Sequence, residues 1–564
     1  MSAVRQLMGV LIAWVAVALM LMFGIPAAVH LGAVFTPTNV DSYPWSTPEL
    51  LGMLLRGQPW PSSTITCAFV IVVATIVLLA ALNAGGFGWR QTGRASILRL
   101  RFTVWRKSKP QRQPLTAKAA EPLGRVGWFG FFGMRWFTDM LEDTRVVIAP
   151  SGSGKTTRLV VQLIRRATGA VVTTSTKIDV LLLTGWIRYI RFPESLVLVF
   201  DPEGLVPWFG KLTRTARVRW NIVAGCQDGQ MAMKRAAAIV AARPMNGSES
   251  TNSGFFSQAV TIVLQCMLHA AAMKGLTMRD VMRWMNDFDD DTPYDILRDT
   301  PGALHGWEAL LRKYCRGKAD ETISNTDMSA SGILNAFAIE SILDAVSPGP
   351  DDQVLDVTTF HAGTDTLYLI CKGEKSPAAA VFTALVESLY LNASEAATRN
   401  SPLNPPLELA LDEAANVCPI PSLALVMSTG RGEGIISTIV LQGLAQFVKR
   451  YGKDEASTII DNATELLVLG GVRDTQHLKD LSELAGSLDT HAGGRGSQVM
   501  APDKIRTLRE GRALLFYRNL PSTIITLPAW WRSTHKAEYQ AAMDWAQEQH
   551  HQHATPATEG VGAA

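Results

Sequence analysis

The sequence predicts an α/β protein with a mostly parallel sheet, an all-α segment inserted into it and two transmembrane helices at the N-terminus. Three observations carry this. A short apolar strand runs directly into a glycine-rich loop and a helix-compatible stretch. Further strand-like runs alternate with helical ones on both sides of a long stretch without strand signals. Two uncharged apolar runs precede all of these.

The whole chain sets the limits first. Its 564 residues exceed one ordinary domain, and the 47% of hydrophobic residues is high enough that the excess must sit somewhere, largely in the two N-terminal runs. A net charge of +3 gives no global basic balance that would argue for nucleic acid. Cys67, Cys226, Cys266, Cys315, Cys371 and Cys418 show no metal-ligand or redox-motif spacing, which suits reduced, buried thiols of a cytosolic body.

The first apolar run lies between Arg5 and His30, with its body from Met8 to Val29. The second lies between Arg56 and Arg90, centred on Thr64 to Leu82. Each is long enough to cross a bilayer as a helix. A cleaved signal peptide competes for the first run, but its apolar stretch is long for one. A basic collar follows: Arg90, Arg94, Arg99, Arg101, Arg106, Lys107, Lys109, Arg112, Lys118 and Arg125, with Glu121 the one acid among them. The positive-inside rule places this collar, and with two spans both termini, on the cytoplasmic side of the membrane. The collar reads as a topology determinant against anionic lipid or as a nucleic-acid contact.

The strand Arg145-Val146-Val147-Ile148 leads into Ala149-Pro150-Ser151-Gly152-Ser153-Gly154-Lys155-Thr156-Thr157, and then into Leu159, Val160, Val161, Leu163 and Ile164. Strand, glycine-rich loop and helix in that order form a phosphate-binding loop. Triphosphate oxygens need several backbone N–H groups aimed at one point. Gly152 and Gly154 let the chain curl that tightly, and the helix N-terminus adds partial positive charge. Lys155 reaches the β- and γ-phosphates of ATP, and the Thr156 hydroxyl holds Mg²⁺.

A second buried strand, Leu407 to Leu411, ends in Asp412-Glu413. At such a tip Asp412 belongs to the Mg²⁺ shell, and Glu413 orients and deprotonates the attacking water. A third strand, Ile435 to Leu441, ends in Gln442, which can sense the γ-phosphate or simply brace the loop backbone. Arg431, between Gly430 and Gly432, is expected to be mobile and reachable. It reads as an arginine finger acting in trans or as a plain surface arginine. Strands at Ala170–Thr174, Leu196–Phe200, Thr366–Ile370, Glu465–Leu469 and Ala513–Tyr517 complete the sheet, with nucleotide at its carboxyl edge.

Between Asp228 and Val346 amphipathic helices take over: Met231–Ala242, Phe255–Met273, Met278–Asp287, Ala303–Tyr314 and Gly332–Val346. The organisation is therefore a membrane anchor (1–88), a basic juxtamembrane segment (89–130), a P-loop domain (131–228 and 347–545), the all-α insertion (229–346) and a disordered tail (546–564). His550, His551 and His553 fall in that tail. No histidine cluster beside a tyrosine or carboxylate suggests a relaxase or nuclease.

The order of these features resembles the coupling proteins of type IV secretion and conjugation, the TraG/TraD type, relatives of the FtsK-like DNA translocases. The resemblance spans nearly the whole chain. It rests on the two spans, Ala149–Thr157, Phe200-Asp201-Pro202-Glu203-Gly204, the insertion, Leu411-Asp412-Glu413-Ala414-Ala415-Asn416, Gly430-Arg431-Gly432-Glu433-Gly434-Ile435 and Leu441-Gln442-Gly443-Leu444-Ala445-Gln446. Ala501 to Arg506 and Leu508 to Gly511 also match. Glu433 departs from a frequent aromatic, and Arg473-Asp474 from small or polar residues.

The resemblance implies a RecA-like P-loop ATPase domain and a homohexamer around a channel. It implies that ATP hydrolysis feeds DNA with an attached relaxase, or effector protein, to components of the secretion channel. In those terms Lys155 and Thr156 bind nucleotide and metal, Asp412 and Glu413 drive hydrolysis, Gln442 senses and Arg431 is the finger. The alternatives are an FtsK-like segregation translocase, which would carry more spans and a DNA-reading winged domain, and a membrane receptor without hydrolysis. An ABC-class transporter lacks support, because its signature loop is missing between the phosphate loop and the acidic strand.

Overall fold

The computed structural model describes residues 23–36, 39–82, 123–126, 135–137, 142–242, 253–317, 320–373, 375–488 and 497–553. The basic collar from Arg90 to Lys118 and residues 8–22 of the first expected span lie outside them; Arg125, the last residue of the collar, falls instead in a strand of the sheet. The chain divides into an N-terminal helical unit and a large α/β unit.

In the N-terminal unit the second expected span is a helix with the expected bounds, Thr64–Leu82. The first run ends in a helix, Ile25–Phe35, with proline in its first turn. This helix runs past Val29 because Leu31, Ala33, Val34 and Phe35 continue the apolar stretch beyond His30. The two helices meet at Gly32, where a Cβ would lie 2.8 Å from Thr64 Oγ1. Ser63 Oγ donates to the Gly32 carbonyl at 2.7 Å and sits 3.2 Å from Thr36 Oγ1. A small residue and two hydroxyls thus let the backbones close up, as apolar helix pairs require.

The α/β unit is built on one twelve-stranded sheet. Its strands are β1 Gly124–Val126, β2 Arg135–Phe137, β3 Arg145–Ile148, β4 Val171–Ser175, β5 Val197–Phe200, β6 Thr215–Arg217, β7 Thr366–Ile370, β8 Leu407–Asp412, β9 Ile435–Leu441, β10 Glu465–Leu469, β11 Arg512–Tyr517 and β12 Thr523–Thr526. The spatial order is β2-β1-β12-β11-β10-β3-β9-β8-β4-β7-β5-β6. From β10 to β6 every pairing is parallel; β11, β12, β1 and β2 add an antiparallel flank. The parallel strands β3, β4, β5, β7, β8, β9 and β10 are buried along their whole length, which is why they read as continuous apolar runs in the sequence. The strands that sequence pattern missed, β1, β2, β6 and β12, have only three or four residues each, too few for a period to show.

β3 lies between β10 and β9, and its first residue carries a buried ion pair. Arg145 Nε is 2.8 Å from Glu465 Oε2, with the side chains 1% and 0% exposed, and Arg145 Nη1 donates to Thr438 Oγ1 at 3.3 Å. Three neighbouring strands are thereby tied at one level. Removing one partner strands a charge in a dry interior, so Glu465→Ala is expected to lower unfolding free energy by about 3–5 kcal/mol, whereas Arg145→Met with Glu465→Leu recovers most of it. Urea unfolding of the three proteins measures this, and a Glu465→Ala midpoint equal to wild type contradicts it.

Within 229–346 every described element is helical: Gly229–Ala241, Ser253–Met273, Met278–Asn286, Thr292–Asp299, Trp307–Cys315, Asp320–Leu334 and Glu340–Ala345, with a 3₁₀ turn at Asn335–Ala338. The expected single helix Gly332–Val346 is broken at that turn. The helix before it was not anticipated, because its sequence, DETISNTDMSASGIL, has few apolar residues to mark a face. Ala303–Tyr314 starts late, at Trp307, because Gly306 takes φ +85° at the N-cap. Phe256–Met273 is apolar and long enough to pass as a span, but 67% of it is buried, and it is the central core helix of the insertion. The two ends of the insertion are hydrogen-bonded together: Trp220 N–H to the Ala345 carbonyl at 2.9 Å, and Leu355 N–H to the Arg219 carbonyl at 2.8 Å. One apolar core runs without interruption from Val146 and Leu369 in the sheet to Val260, Leu264 and Trp284 in the insertion.

The expected tail from residue 546 is corrected. The last helix, Lys536–His553, continues well past Trp545. Ala542, Trp545, Ala546 and Gln549 are all buried, at the i, i+3, i+4, i+7 spacing of a helix face. Trp545 stacks on Trp186 with ring centroids 5.4 Å apart, and His550 meets Trp208 edge-on at 5.9 Å. The polar Gln/His composition concealed this face.

Candidate functional site

The site forms where β3, β8 and β9 end side by side. Ala149 extends the β3–β9 ladder by one step, its N–H donating to the Leu441 carbonyl at 2.8 Å. The chain then curls through Pro150, Ser151, Gly152, Ser153 and Gly154. Gly152 has φ +78° and Gly154 φ +82°, the left-handed conformation for which glycine is suited. A π-helical turn, Thr156–Val160, passes into the helix Val161–Arg166. Thr157 Oγ1 closes the turn on the Gly154 carbonyl at 3.3 Å.

Four expected residues converge here. Lys155 Nζ lies 3.1 Å from Asp412 Oδ1 and 2.9 Å from Glu413 Oε1. Gln442 Nε2 donates to the same Glu413 oxygen at 2.9 Å. Glu413 sits at the β8 tip with φ +57°, a conformation that is strained for a non-glycine residue and concentrates at functional positions. Its other oxygen, Oε2, is buried without a hydrogen-bond partner, as is Ser153 Oγ; Asp412 Oδ1 has only the unaligned ion contact with Lys155.

The electrostatics follow from this crowding. Burial works to neutralise the Lys155 ammonium, but the charge of Asp412 and the hydrogen bond and charge of Glu413 outweigh it and raise its pKa. Burial raises the Asp412 carboxyl, against the opposing pull of Lys155. A lysine held charged between carboxylates, one of them uncomfortable in its burial, is a site whose polar groups still need a ligand.

Among the described residues no three His, Cys, Asp or Glu side chains form a metal cage. Mg²⁺ does not need one, since it binds through one or two carboxylates and completes its shell with water and phosphate oxygens. The unaligned Asp412 Oδ1 beside the Thr156 turn fits that donor set.

Residues 406–516 match the family described as the TraM recognition site of TraD and TraG. The matched stretch contains Asp412, Glu413, Arg431, Gln442 and all of β8 to β10. No relative emerges among curated proteins. Among solved structures, the unbound bacterial conjugative coupling protein TrwB, lacking its first 70 residues, superposes with a TM-score of 0.56 at 18% identity, over 75% of this chain and 90% of that one. TrwB in complex with ADP and Mg²⁺ gives 0.56 at 18% identity over 77% and 94%. TrwB with a non-hydrolysable GTP analogue gives 0.54 at 18% over 75% and 91%. The chain has the coupling-protein fold.

Within the coupling-protein fold Arg431 stands apart from the other expected residues. It does not occupy a mobile glycine loop. It lies in the last turn of the helix Leu423–Glu433, ahead of β9, and pairs with Glu142 at 2.5 Å ahead of β3. Gly430 is buried there against Ile435, so its glycine serves close packing instead of mobility. Arg431 thus sits at the amino edge of the sheet, opposite its own phosphate loop.

Arg158 is a site residue that sequence reasoning missed. It is buried under the phosphate loop, donating to the Leu527 carbonyl at 3.2 Å and pairing with Glu510 at 2.6 Å. A Cβ on Gly154 would come within 2.8 Å of its Nε, and one on Gly511 within 2.6 Å of its Nη1. The signal was present in the sequence as Gly511 of the matching Leu508–Gly511 stretch. Thr174, whose hydroxyl holds the Asp412 carbonyl at 2.8 Å from β4, was also missed.

Proposed function

We propose that this chain is a type IV secretion coupling protein: a membrane-anchored ATPase that recruits DNA with its attached relaxase, or effector protein, and drives it to the secretion channel. The observation that carries the reading is the meeting of Lys155, Asp412, Glu413 and Gln442 at the carboxyl ends of adjacent strands beside the Ala149–Thr157 loop. The match over 406–516 supports a partner that presents substrate.

The loop N–H groups and Lys155 bind the triphosphate, and Thr156 with Asp412 holds Mg²⁺. The metal, when bound, screens the phosphate charge and offsets the cost of ionising Asp412. Lys155 then turns from the carboxylates to the phosphates, which frees Glu413. Glu413 Oε2, already without a partner, accepts a proton from the attacking water, and Gln442 holds the carboxylate in place. Arg431 reaches a neighbouring subunit's phosphate site from the amino edge of the sheet, which requires a ring, a homohexamer in this reading. The helices Ile25–Phe35 and Thr64–Leu82 belong to the inner-membrane anchor, with the ATPase body in the cytoplasm.

The test measures ATP turnover with and without added DNA, alongside substrate transfer from donor cells. DNA-stimulated turnover with transfer supports the reading. Stimulation by a substrate protein alone favours protein export, and transfer without any turnover sinks the motor. Arg431→Ala is expected to abolish turnover by itself. Mixing it with Lys155→Ala subunits is expected to restore a fraction, because some interfaces then join an intact arginine to an intact lysine. A mixture as inactive as its components removes Arg431 from the trans role.

A further inference from the structure

The segment between the two N-terminal helices carries an apolar face turned outward. The crossing at Gly32 and Thr64, with Ser63 on the Gly32 carbonyl, sets the end of Ile25–Phe35 level with the start of Thr64–Leu82. The intervening residues fold back on that junction. Trp45 stacks on His30, ring centroids 3.9 Å apart and 10° between planes, and Trp60 Nε1 donates to the Leu50 carbonyl at 3.1 Å.

The helix Thr47–Leu55 buries Leu50 against this framework. Leu51, Leu54 and Leu55, spaced i, i+3, i+4, form one stripe on its surface, and Leu55 is 88% exposed; Trp45 beside it is 70% exposed. A water-facing helix would place charge on that stripe. Here the charged residues Glu49 and Arg56 sit at the two ends of the helix instead. Nine residues are also too few for a helix to persist in water by its own propensity.

We propose that Thr47–Leu55 lies in the surface of the lipid bilayer, on the side opposite the basic collar, with Leu51, Leu54, Leu55 and Trp45 inserted among the acyl chains. This rests on reading the two flanking helices as a membrane anchor. The partner is lipid because the level junction leaves the stripe at the depth where the flanking apolar helices begin, the interfacial zone that tryptophan favours. Arg56, at the helix end, extends its guanidinium toward the headgroups.

The test uses the full-length protein in phosphatidylcholine–phosphatidylglycerol vesicles. In a Cys67→Ser background the other five cysteines are buried, so a single new cysteine takes an environment-sensitive fluorophore. Leu55→Cys and, separately, Leu54→Cys report on the stripe, and Val73→Cys reports on the flanking helix. The expected result is a blue-shifted emission from Leu54→Cys and Leu55→Cys that nitroxide-labelled lipid quenches and aqueous iodide does not. Quenching by iodide overturns the proposal, as does shielding from both quenchers, which would mean that protein covers the stripe. If Val73→Cys is itself quenched by iodide, the anchor reading fails and the proposal fails with it. If only the stripe is exposed to iodide, the anchor stands.

Discussion

Replacing Lys155 by alanine is expected to lower ATP turnover by about 10²–10³-fold, the usual cost of removing a positioned charge from a phosphoryl-transfer site. The structure adds a second effect. Lys155 is the cation that Asp412 and Glu413 both contact, and Asp412 is 4% exposed. Without it two neighbouring carboxylates face each other in a poorly hydrated site, and the already raised Asp412 pKa rises further.

The sign of the consequence is fixed. An acid whose folded pKa lies above its unfolded value makes the folded state bind more protons, so stability falls as pH rises through that interval. The nucleotide-free Lys155→Ala protein is therefore expected to melt higher in mildly acidic than in mildly alkaline buffer. The wild type, in which the charged Lys155 opposes the rise of the Asp412 pKa, should show the same trend more weakly. Thermal unfolding of both across pH, together with turnover assays, checks the pair of effects. A variant with wild-type turnover removes the loop from catalysis. A variant that is inactive but shows the pH response of wild type leaves the Lys155–Asp412 contact without energetic weight.

Glu413→Gln is the second substitution with a large expected effect, and it should behave differently. The amide keeps the size of the side chain and an oxygen that can still accept from Gln442 and Lys155, so the fold and nucleotide binding persist. It cannot take a proton from water. Turnover is expected to drop by about 10²–10⁴-fold with little change in nucleotide affinity. Equilibrium binding of a fluorescent ATP analogue and single-turnover hydrolysis separate the two quantities. Retained hydrolysis would reduce Glu413 to a partner for Lys155 and move the search for the base elsewhere. A parallel loss of binding would show that the carboxylate organises the loop before any chemistry begins.

Sequence pattern exposes a feature when a period or a forced residue type marks it. The parallel strands were legible because burial on both faces demands unbroken apolar runs, and β3, β7, β9 and β10 have the expected bounds. The loop glycines were legible because a left-handed backbone forces the residue type. The convergence of Lys155, Asp412, Glu413 and Gln442 was legible because the tips of neighbouring parallel strands come together at one edge of the sheet.

Features set by tertiary contact were hidden. The helix Asp320–Leu334 has too few apolar residues to show a face, and the buried side of Lys536–His553 lies within a polar run. Arg431 illustrates a residue type with two explanations. Glycine neighbours suggested mobility, whereas Gly430 is there to let a helix approach Ile435. Arg158 shows the converse: its meaning depends on Gly511, more than three hundred residues away in sequence.

The paired ends of the helical insertion have an evolutionary implication. Because Trp220 and Ala345 are joined by a backbone hydrogen bond, the whole excursion leaves and rejoins the sheet at one point. Lengthening, shortening or replacing it need not disturb the register of a single strand, so this is where the chain can vary while the sheet stays the same. The shared core limits that freedom. A transplanted module must bring its own apolar seam to meet the helix Ala379–Arg399, which is buried along most of its length. Diversification here is expected to be abrupt in loops and surface, and slow along that seam.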